Sequence, residues 1–191
     1  IGFLVKEEQA MIWRGPMASQ ALEQLIHQTR WEGLDYLIVD MPPGTGDIQL
    51  TMAQKVPLTG AVIVTTPQDI ALLDAKKGIT MFQKVNVPVL GLIENMAVHV
   101  CSQCGHHEHI FGHEGGKRLA QQLGMDYLGA LPLALSIRTQ ADAGRPSVVA
   151  EPEGEIAQLY RQMARTLAAK VAQQGTNLAP KFPTITISKR S

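Results

Sequence analysis

The sequence predicts an α/β fold with a doubly wound parallel sheet, and two observations support this. Five short apolar runs, each bounded by turn residues, lie at 2–5, 35–40, 60–66, 87–95 and 127–132. Their nearly continuous Val, Ile and Leu content is typical of strands that are buried on both faces of a parallel sheet. Helical patterns separate the runs, and alternation of strands with helices is the signature of this fold class.

The helices between the runs are predicted from their boundary residues and from their apolar spacing. Pro16 opens the first helix, which extends to Trp31. The second helix follows Pro67, and a short third helix begins at Gly115 and is closed by Gly124. The apolar stripe of the second helix is placed at Ile70, Leu73, Lys77, Met81 and Phe82.

Residues 1–174 are expected to belong to one domain, and 175–191 to a flexible tail. A final helix over 153–174 carries apolar residues at helical spacing and is expected to pack on the sheet. The segment from Gly175 is polar and contains prolines, which is typical of a mobile extension. Because Ile1 is not a methionine and a strand is predicted from Gly2, we expect the domain to be incomplete at its N-terminus.

Composition excludes several classes of function. Lys plus Arg and Asp plus Glu both number 17, so the net charge favours neither a nucleic acid nor an anionic membrane as partner. The sequence contains no apolar run long enough to span a membrane and no secretory start. Its two cysteines fit a reducing compartment, and we expect a cytoplasmic protein.

The segment DYLIVDMPPGTGD, residues 35–47, predicts a nucleotide site. Ligands of open parallel sheets bind at the carboxyl ends of the strands, where a strand over 35–40 would present Asp40. P-loop NTPases use such a carboxylate to hold Mg²⁺ against nucleotide phosphates. Gly44 and Gly46 would let backbone amides approach a γ-phosphate closely. The alternative is that Asp40 is only a turn residue before a Pro-Gly bend.

Such a site also needs a phosphate-binding loop, G-x-x-x-x-G-K-[ST], after an earlier strand. The nearest match is GHEGGKR at 112–118. Its glycine spacing is one residue short, Arg118 replaces the hydroxyl that binds magnesium, and no convincing strand precedes it. We therefore expect the phosphate-binding loop to lie upstream of Ile1.

Cys101 and Cys104 have the C-x-x-C spacing that lets two thiolates bind one metal centre, and this spacing leaves several interpretations open. A redox dithiol usually lies at a helix N-terminus, which the following HHEH loop does not resemble. Zinc could use nearby histidines, although their spacing fits no C-x-x-C, H-x-x-x-H finger. A cluster with four cysteine ligands would need two copies of the chain. An unliganded pair is the fourth possibility.

Taken in order, these motifs resemble the Mrp/ApbC family of iron-sulfur cluster carriers, deviant P-loop ATPases related to MinD. The resemblance covers about residues 2–150. It rests on GFLV (2–5), WRGPM (13–17), DYLIVDMPPGTGD (35–47), TTPQDIALLDAKKGITMF (65–82), PVLGLIENM (88–96), CSQCGHH (101–107), IFGHEGG (110–116) and GALPL (129–133).

For the nucleotide site, the resemblance implies a MinD-like P-loop fold that binds ATP and Mg²⁺ and hydrolyses ATP. Asp40 would belong to the magnesium site. The loop from Pro42 to Asp47, with Gly44 and Gly46, would be the switch that responds to the γ-phosphate. Asn95 and the segment around Pro132 would contact adenine, although Asn95 alone could equally be a turn residue.

For the cysteine pair, the resemblance implies a [4Fe-4S] cluster that is held between two subunits by Cys101 and Cys104 and is transferred to apo-proteins. The partners would then be a second copy of the chain and apo iron-sulfur proteins, with neither nucleic acid nor membrane involved.

Two other functions remain possible from the sequence. A MinD-like positioning ATPase would need a basic amphipathic helix at its C-terminus, but the helix at 153–174 also carries Glu153 and Glu155. A zinc-stabilised interaction domain would bind zinc in place of iron and sulfide.

Overall fold

The computed structural model describes residues 15–42, 44–101 and 103–174. These residues form an α/β fold, as predicted. Its elements in chain order are α1 (Gly15–His27), α2 (Asp47–Lys55), β1 (Ala61–Thr65), α3 (Asp69–Lys84), β2 (Val89–Glu94), β3 (His99–Val100), β4 (His107–Glu108), α4 (Gly115–Gln122), β5 (Tyr127–Ala130), α5 (Leu135–Asp142), α6 (Ser147–Ala150) and α7 (Glu155–Gln173).

The main sheet of the described residues is parallel, with the strand order β1-β2-β5. Ile63 of β1 pairs with Leu92 of β2, and Leu92 pairs with Tyr127 of β5. The central position of β2 explains why its sequence, VLGLIE, is almost continuously apolar. Because all three strands run in the same direction, their carboxyl ends lie at one edge of the sheet.

Helices cover both faces of this sheet, which confirms the doubly wound architecture. On one face, α3 and α4 pack on β1 and β2, and Ile63, Ile79, Leu92 and Leu119 form the centre of the core. On the other face, Met163 of α7 lies against Gly129, where an added Cβ would come within 3.0 Å of the Met163 side chain. Gly129 therefore permits close packing of α7 on β5.

Three of the five predicted strands, at 60–66, 87–95 and 127–132, are confirmed with slightly shorter bounds. The predicted buried strand at 35–40 is wrong. Tyr36 and Ile38 are 54% and 77% exposed, and the segment is not assigned to any strand. The apolar run lacks a neighbouring strand among the described residues, and a strand exists only where its backbone groups are paired. The segments 2–5 and 175–191 lie outside the described residues.

The predicted helices are confirmed, although the first ends at His27 and not at Trp31. The predicted stripe of α3 is partly wrong. Its buried residues are Ala75, Ile79 and Met81, whereas Ile70 and Leu73 are 68% and 50% exposed. The sheet lies under the face that contains Ala75 and Ile79, one helical turn apart. A search for large apolar residues overlooks this face because alanine contributes little to such a stripe.

Candidate functional site

The carboxyl ends of the three strands are joined by backbone hydrogen bonds. The Asn95 N–H donates to the Thr65 carbonyl at 2.7 Å, which connects the ends of β2 and β1. The Leu131 N–H donates to the Glu94 carbonyl at 2.9 Å, which connects the ends of β5 and β2. The structure therefore places Asn95 and Pro132 at the same edge of the sheet, the position at which open parallel sheets bind ligands.

Asn95 also stabilises the turn that leaves β2. Its Oδ1 accepts a hydrogen bond from the Met96 N–H at 2.9 Å. Met96 has a positive φ of 55°, a left-handed conformation that is uncommon for residues other than glycine. The hydrogen bond to Oδ1 supports the interpretation of Asn95 as a turn residue. Its Nδ2 makes no hydrogen bond to any residue that the structure describes.

Asp40 lies in an exposed segment rather than at the end of a paired strand. No hydrogen bond joins residues 35–42 to β1, β2 or β5 within the part of the chain that the structure describes. The sheet therefore does not bring Asp40 together with Asn95 and Pro132, contrary to the expectation that a strand presents it there. The local loop and α2 position this segment instead.

The glycine loop after Asp40 leads directly into α2. Gly44 has a φ of 96°, which requires glycine, and Gly46 is the residue before the first turn of α2, which begins at Asp47. Gln49 donates from Nε2 to the Pro42 carbonyl at 2.6 Å and so fixes the start of the loop. α2 therefore begins directly after this loop, and a helix N-terminus is a local geometry that binds anions.

The cysteine pair lies in the turn of a short antiparallel hairpin formed by β3 and β4. The Cys101 N–H donates to the His106 carbonyl, and the Gly105 N–H donates to the Cys101 carbonyl, both at 2.9 Å. These bonds fold the turn so that Cys101 lies at its start and is half-buried, whereas Cys104 is exposed. Sequence reasoning missed this hairpin because strands of two residues have no readable periodicity.

Backbone amides at the turn favour the thiolate form of Cys101. The N–H of Cys104, and next the N–H of Gln103, donate toward its sulfur and lower the pKa of the Cys101 thiol. The side chain of Cys104 contributes a further hydrogen bond in the same direction. Since the thiolate is the form that binds metals, the turn prepares Cys101 as a ligand.

Three histidines near the cysteine pair make other contacts. His99 Nδ1 lies 3.1 Å from the Leu133 carbonyl, and His109 Nδ1 lies 2.9 Å from the Ala97 carbonyl. The His109 and His113 rings pack edge to face with centroids 4.4 Å apart. No group of three or more His, Cys, Asp or Glu side chains is placed to hold a metal among the described residues. Within the described residues, the candidate metal ligands of the hairpin are therefore its two cysteines.

Glu94, which sequence reasoning missed, is a buried carboxylate at the end of β2. It is 2% exposed, and its Oε2 accepts a hydrogen bond from the Gly116 N–H in the first turn of α4. Burial, together with the charge of Glu94, raises the pKa of Tyr127 to about 12. The available signal was a carboxylate that ends an apolar run, the same signal that directed attention to Asp40.

Within the described ranges, no helix combines the length and the apolar content that crossing a membrane requires.

Comparison with known proteins identifies relatives over most of the chain. A family model described as "ParA: NUBPL iron-transfer P-loop NTPase" matches residues 1–168. The iron-sulfur cluster carrier protein of Escherichia coli K12 is 59% identical over 175 residues, which are 92% of this chain and 47% of that protein. The iron-sulfur cluster transfer protein NUBPL of Mus musculus is 53% identical over 171 residues, 90% of this chain and 54% of that protein. The chain spans about half the length of these curated relatives.

Solved structures agree on the fold. A nucleotide-binding protein from Archaeoglobus fulgidus in complex with ADP has a TM-score of 0.62 and 35% identity, covering 72% of this chain and 55% of that one. The cell division ATPase MinD of Pyrococcus furiosus has a TM-score of 0.59 and 20% identity, covering 82% of this chain and 59% of that one. The MinD likeness supports the predicted MinD-like fold and carries no functional argument.

Proposed function

The chain belongs to the ParA family of NUBPL iron-transfer P-loop NTPases, and on this premise we propose that it carries an iron-sulfur cluster on Cys101 and Cys104 and transfers it to apo-proteins. The proposal rests chiefly on the position of both cysteines in the turn of an exposed hairpin, where backbone amides also lower the pKa of the Cys101 thiol. Thiolates are the ligands of iron-sulfur clusters. The names of the two relatives given above, a cluster carrier and a cluster transfer protein, support the same function.

The cargo is proposed to be a [4Fe-4S] cluster that two copies of the chain hold between them. Such a cluster usually takes four cysteines, and these 191 residues contain two. The turn that carries them is on the surface, with Cys104 exposed, so a second copy can approach it. In a two-fold symmetric dimer each subunit supplies the same C-x-x-C pair. Exposure at the turn also gives an apo iron-sulfur protein access to the cluster during transfer.

The nucleotide is proposed to be ATP with Mg²⁺, hydrolysed by the complete protein in the cytoplasm. Asp40 would belong to the magnesium site, and the loop with Gly44, Gly46 and Asp47 would sense the γ-phosphate. The positive φ of Gly44 and the start of α2 directly after the loop support this role for the loop. Asn95 and Pro132, at the carboxyl edge of the sheet, would contact adenine.

Anaerobic reconstitution of the complete protein tests the proposal. Iron, acid-labile sulfide, zinc and native mass are measured for the wild type, for Cys101→Ala, for Cys104→Ala and for the control His107→Ala in the same hairpin. We expect one cluster per two chains, loss of the cluster and of the dimer in both cysteine variants, and no change in the control. Zinc without sulfide would replace the proposal with the zinc-stabilised interaction domain, and one cluster per chain would overturn the bridged arrangement.

A further inference from the structure

The hairpin that carries the cysteines is attached to the nucleotide edge of the sheet by a group of hydrogen bonds around Pro132. The Ala97 N–H donates to the Leu131 carbonyl at 2.9 Å, and the Leu133 N–H donates to the Val98 carbonyl at 2.8 Å. Leu133 and His99 also form an isolated parallel β-bridge. The segment 131–133 thus runs beside the strand that enters the hairpin.

One of these contacts comes from a side chain. His99 Nδ1 lies 3.1 Å from the Leu133 carbonyl oxygen. A carbonyl oxygen only accepts hydrogen bonds, so Nδ1 carries the proton that is shared. Both the neutral Nδ1–H tautomer and the imidazolium can make this bond. His99 is half-buried, which shields the contact from competing water.

The path from His99 to the cysteine turn is short and regular. His99 begins β3, Val100 pairs with His107, and Cys101 follows at once with its own N–H bonded to the His106 carbonyl. Two residues of extended strand span roughly 7 Å and have little freedom to bend independently. The backbone hydrogen bonds attach the segment 131–133 to residues 97 and 98. The bond from the His99 ring extends this attachment to the residue two positions before Cys101, so it passes a shift of the Leu133 carbonyl toward the cysteine turn.

We propose that His99 is a positioning residue that couples nucleotide binding at the carboxyl edge of the sheet to cluster binding by Cys101. This inference rests on the proposed function, because it takes adenine binding at Asn95 and Pro132 and a cluster at Cys101 as its two ends. A nucleotide that orders the segment 131–133 fixes the Leu133 carbonyl, and through His99 it fixes the entry strand of the hairpin. Binding linkage makes the effect reciprocal, so a bound cluster changes nucleotide affinity by the same factor.

The experiment uses the complete protein, reconstituted anaerobically, and a non-hydrolysable ATP analogue as the probe. Two quantities are measured: the Kd of the analogue with and without the cluster, and the rate at which an iron chelator removes the cluster with and without the analogue. The variants are His99→Phe, which keeps an aromatic ring but has no donor, and His99→Asn, whose amide nitrogen reaches a position close to that of Nδ1. His99→Ala removes the ring as well, and His107→Ala is the matched control.

We expect the two Kd values of the wild type to differ by about fivefold or more, as is typical of coupled sites. The ratio of the Kd values without and with the cluster should fall toward one in His99→Phe and His99→Ala. It should return to the wild-type value in His99→Asn and stay unchanged in His107→Ala. The cluster content and the Kd of the cluster-free protein should stay near the wild-type values in all four variants, which a merely structural role would not predict.

Either of the following results would overturn this inference while leaving the proposed function intact: a wild-type Kd ratio of one in protein that binds both ligands, or full coupling in His99→Phe. Failure of His99→Asn to restore the ratio would also reject the hydrogen bond as the link. If the wild type binds no cluster at all, the proposed function itself fails, and the inference fails with it.

Discussion

The carboxylate of Glu94, at the end of the central strand, accepts a hydrogen bond from the backbone N–H of Gly116 in the first turn of α4. The carboxylate is buried and faces the positive end of the helix, where a negative charge is stabilising. Gly116 is close enough that an added Cβ would lie 2.9 Å from Glu94 Oε2. This contact ties the helix that follows the histidine-rich loop to the strand that precedes Asn95.

Glu94→Gln should lower the free energy of unfolding by about 1–3 kcal/mol, because the substitution removes the charge from a buried hydrogen bond to a helix terminus. Denaturant unfolding followed by circular dichroism measures the change. Glu108→Gln is the matched control, since Glu108 is exposed on β4 and should change stability by less than about 0.5 kcal/mol. Equal stability of the two variants would contradict a structural role for the buried carboxylate.

Gly116→Ala should also destabilise the fold by about 1–3 kcal/mol, because the new methyl group would collide with Glu94 and with Leu92 Cδ2, 2.9 Å away. The control is Gly78→Ala in α3, where the nearest atom, of Ile63, is 4.0 Å from the added carbon. That change should be neutral or stabilising by up to about 1 kcal/mol because alanine favours helices. Thermal unfolding of both variants decides the comparison, and a stable Gly116→Ala protein would argue against the close contact.

Asp40→Asn in the complete protein should reduce magnesium-dependent ATP hydrolysis by about 10-fold or more, because it removes negative charge from the proposed metal site. The fold should be unaffected, since Asp40 is exposed. Steady-state hydrolysis at a series of Mg²⁺ concentrations measures the effect. Asp35→Asn, in the same exposed segment, is the control and should leave turnover unchanged. If Asp40→Asn turns over ATP like the wild type, Asp40 has no part in the magnesium site.

Cys101 in the cluster-free, reduced protein should react with iodoacetamide at a lower pH than it does in the denatured chain. The amide hydrogen bonds lower the pKa of the Cys101 thiol on folding. The folded protein therefore keeps the reactive thiolate at pH values where the thiol of the denatured chain is already protonated. Mass spectrometry of the alkylated peptides at a series of pH values gives the midpoint. The same midpoint in folded and denatured protein would show that the turn does not stabilise the thiolate.

The local sequence alone determined those strands and helices that a pattern of neighbouring residues predicts. The strands at 61–65, 89–94 and 127–130 and the helices α3, α4 and α7 follow from apolar periodicity, prolines and glycines, which act over a few neighbouring residues. The C-x-x-C pair is likewise visible as a spacing. The common position of Asn95 and Pro132 at one edge is a finding of the structure, in which backbone hydrogen bonds join the ends of β1, β2 and β5.

Only the tertiary structure decided the features that depend on contacts between distant segments. The run at 35–40 is as apolar as β2, yet a strand requires a paired neighbour, and among the described residues it has none. Glu94 is buried because α4, which begins some twenty residues later, brings the Gly116 amide to it. The link from His99 to Leu133 joins residues 34 positions apart. Such relationships arise from packing in three dimensions, and no local sequence pattern encodes them.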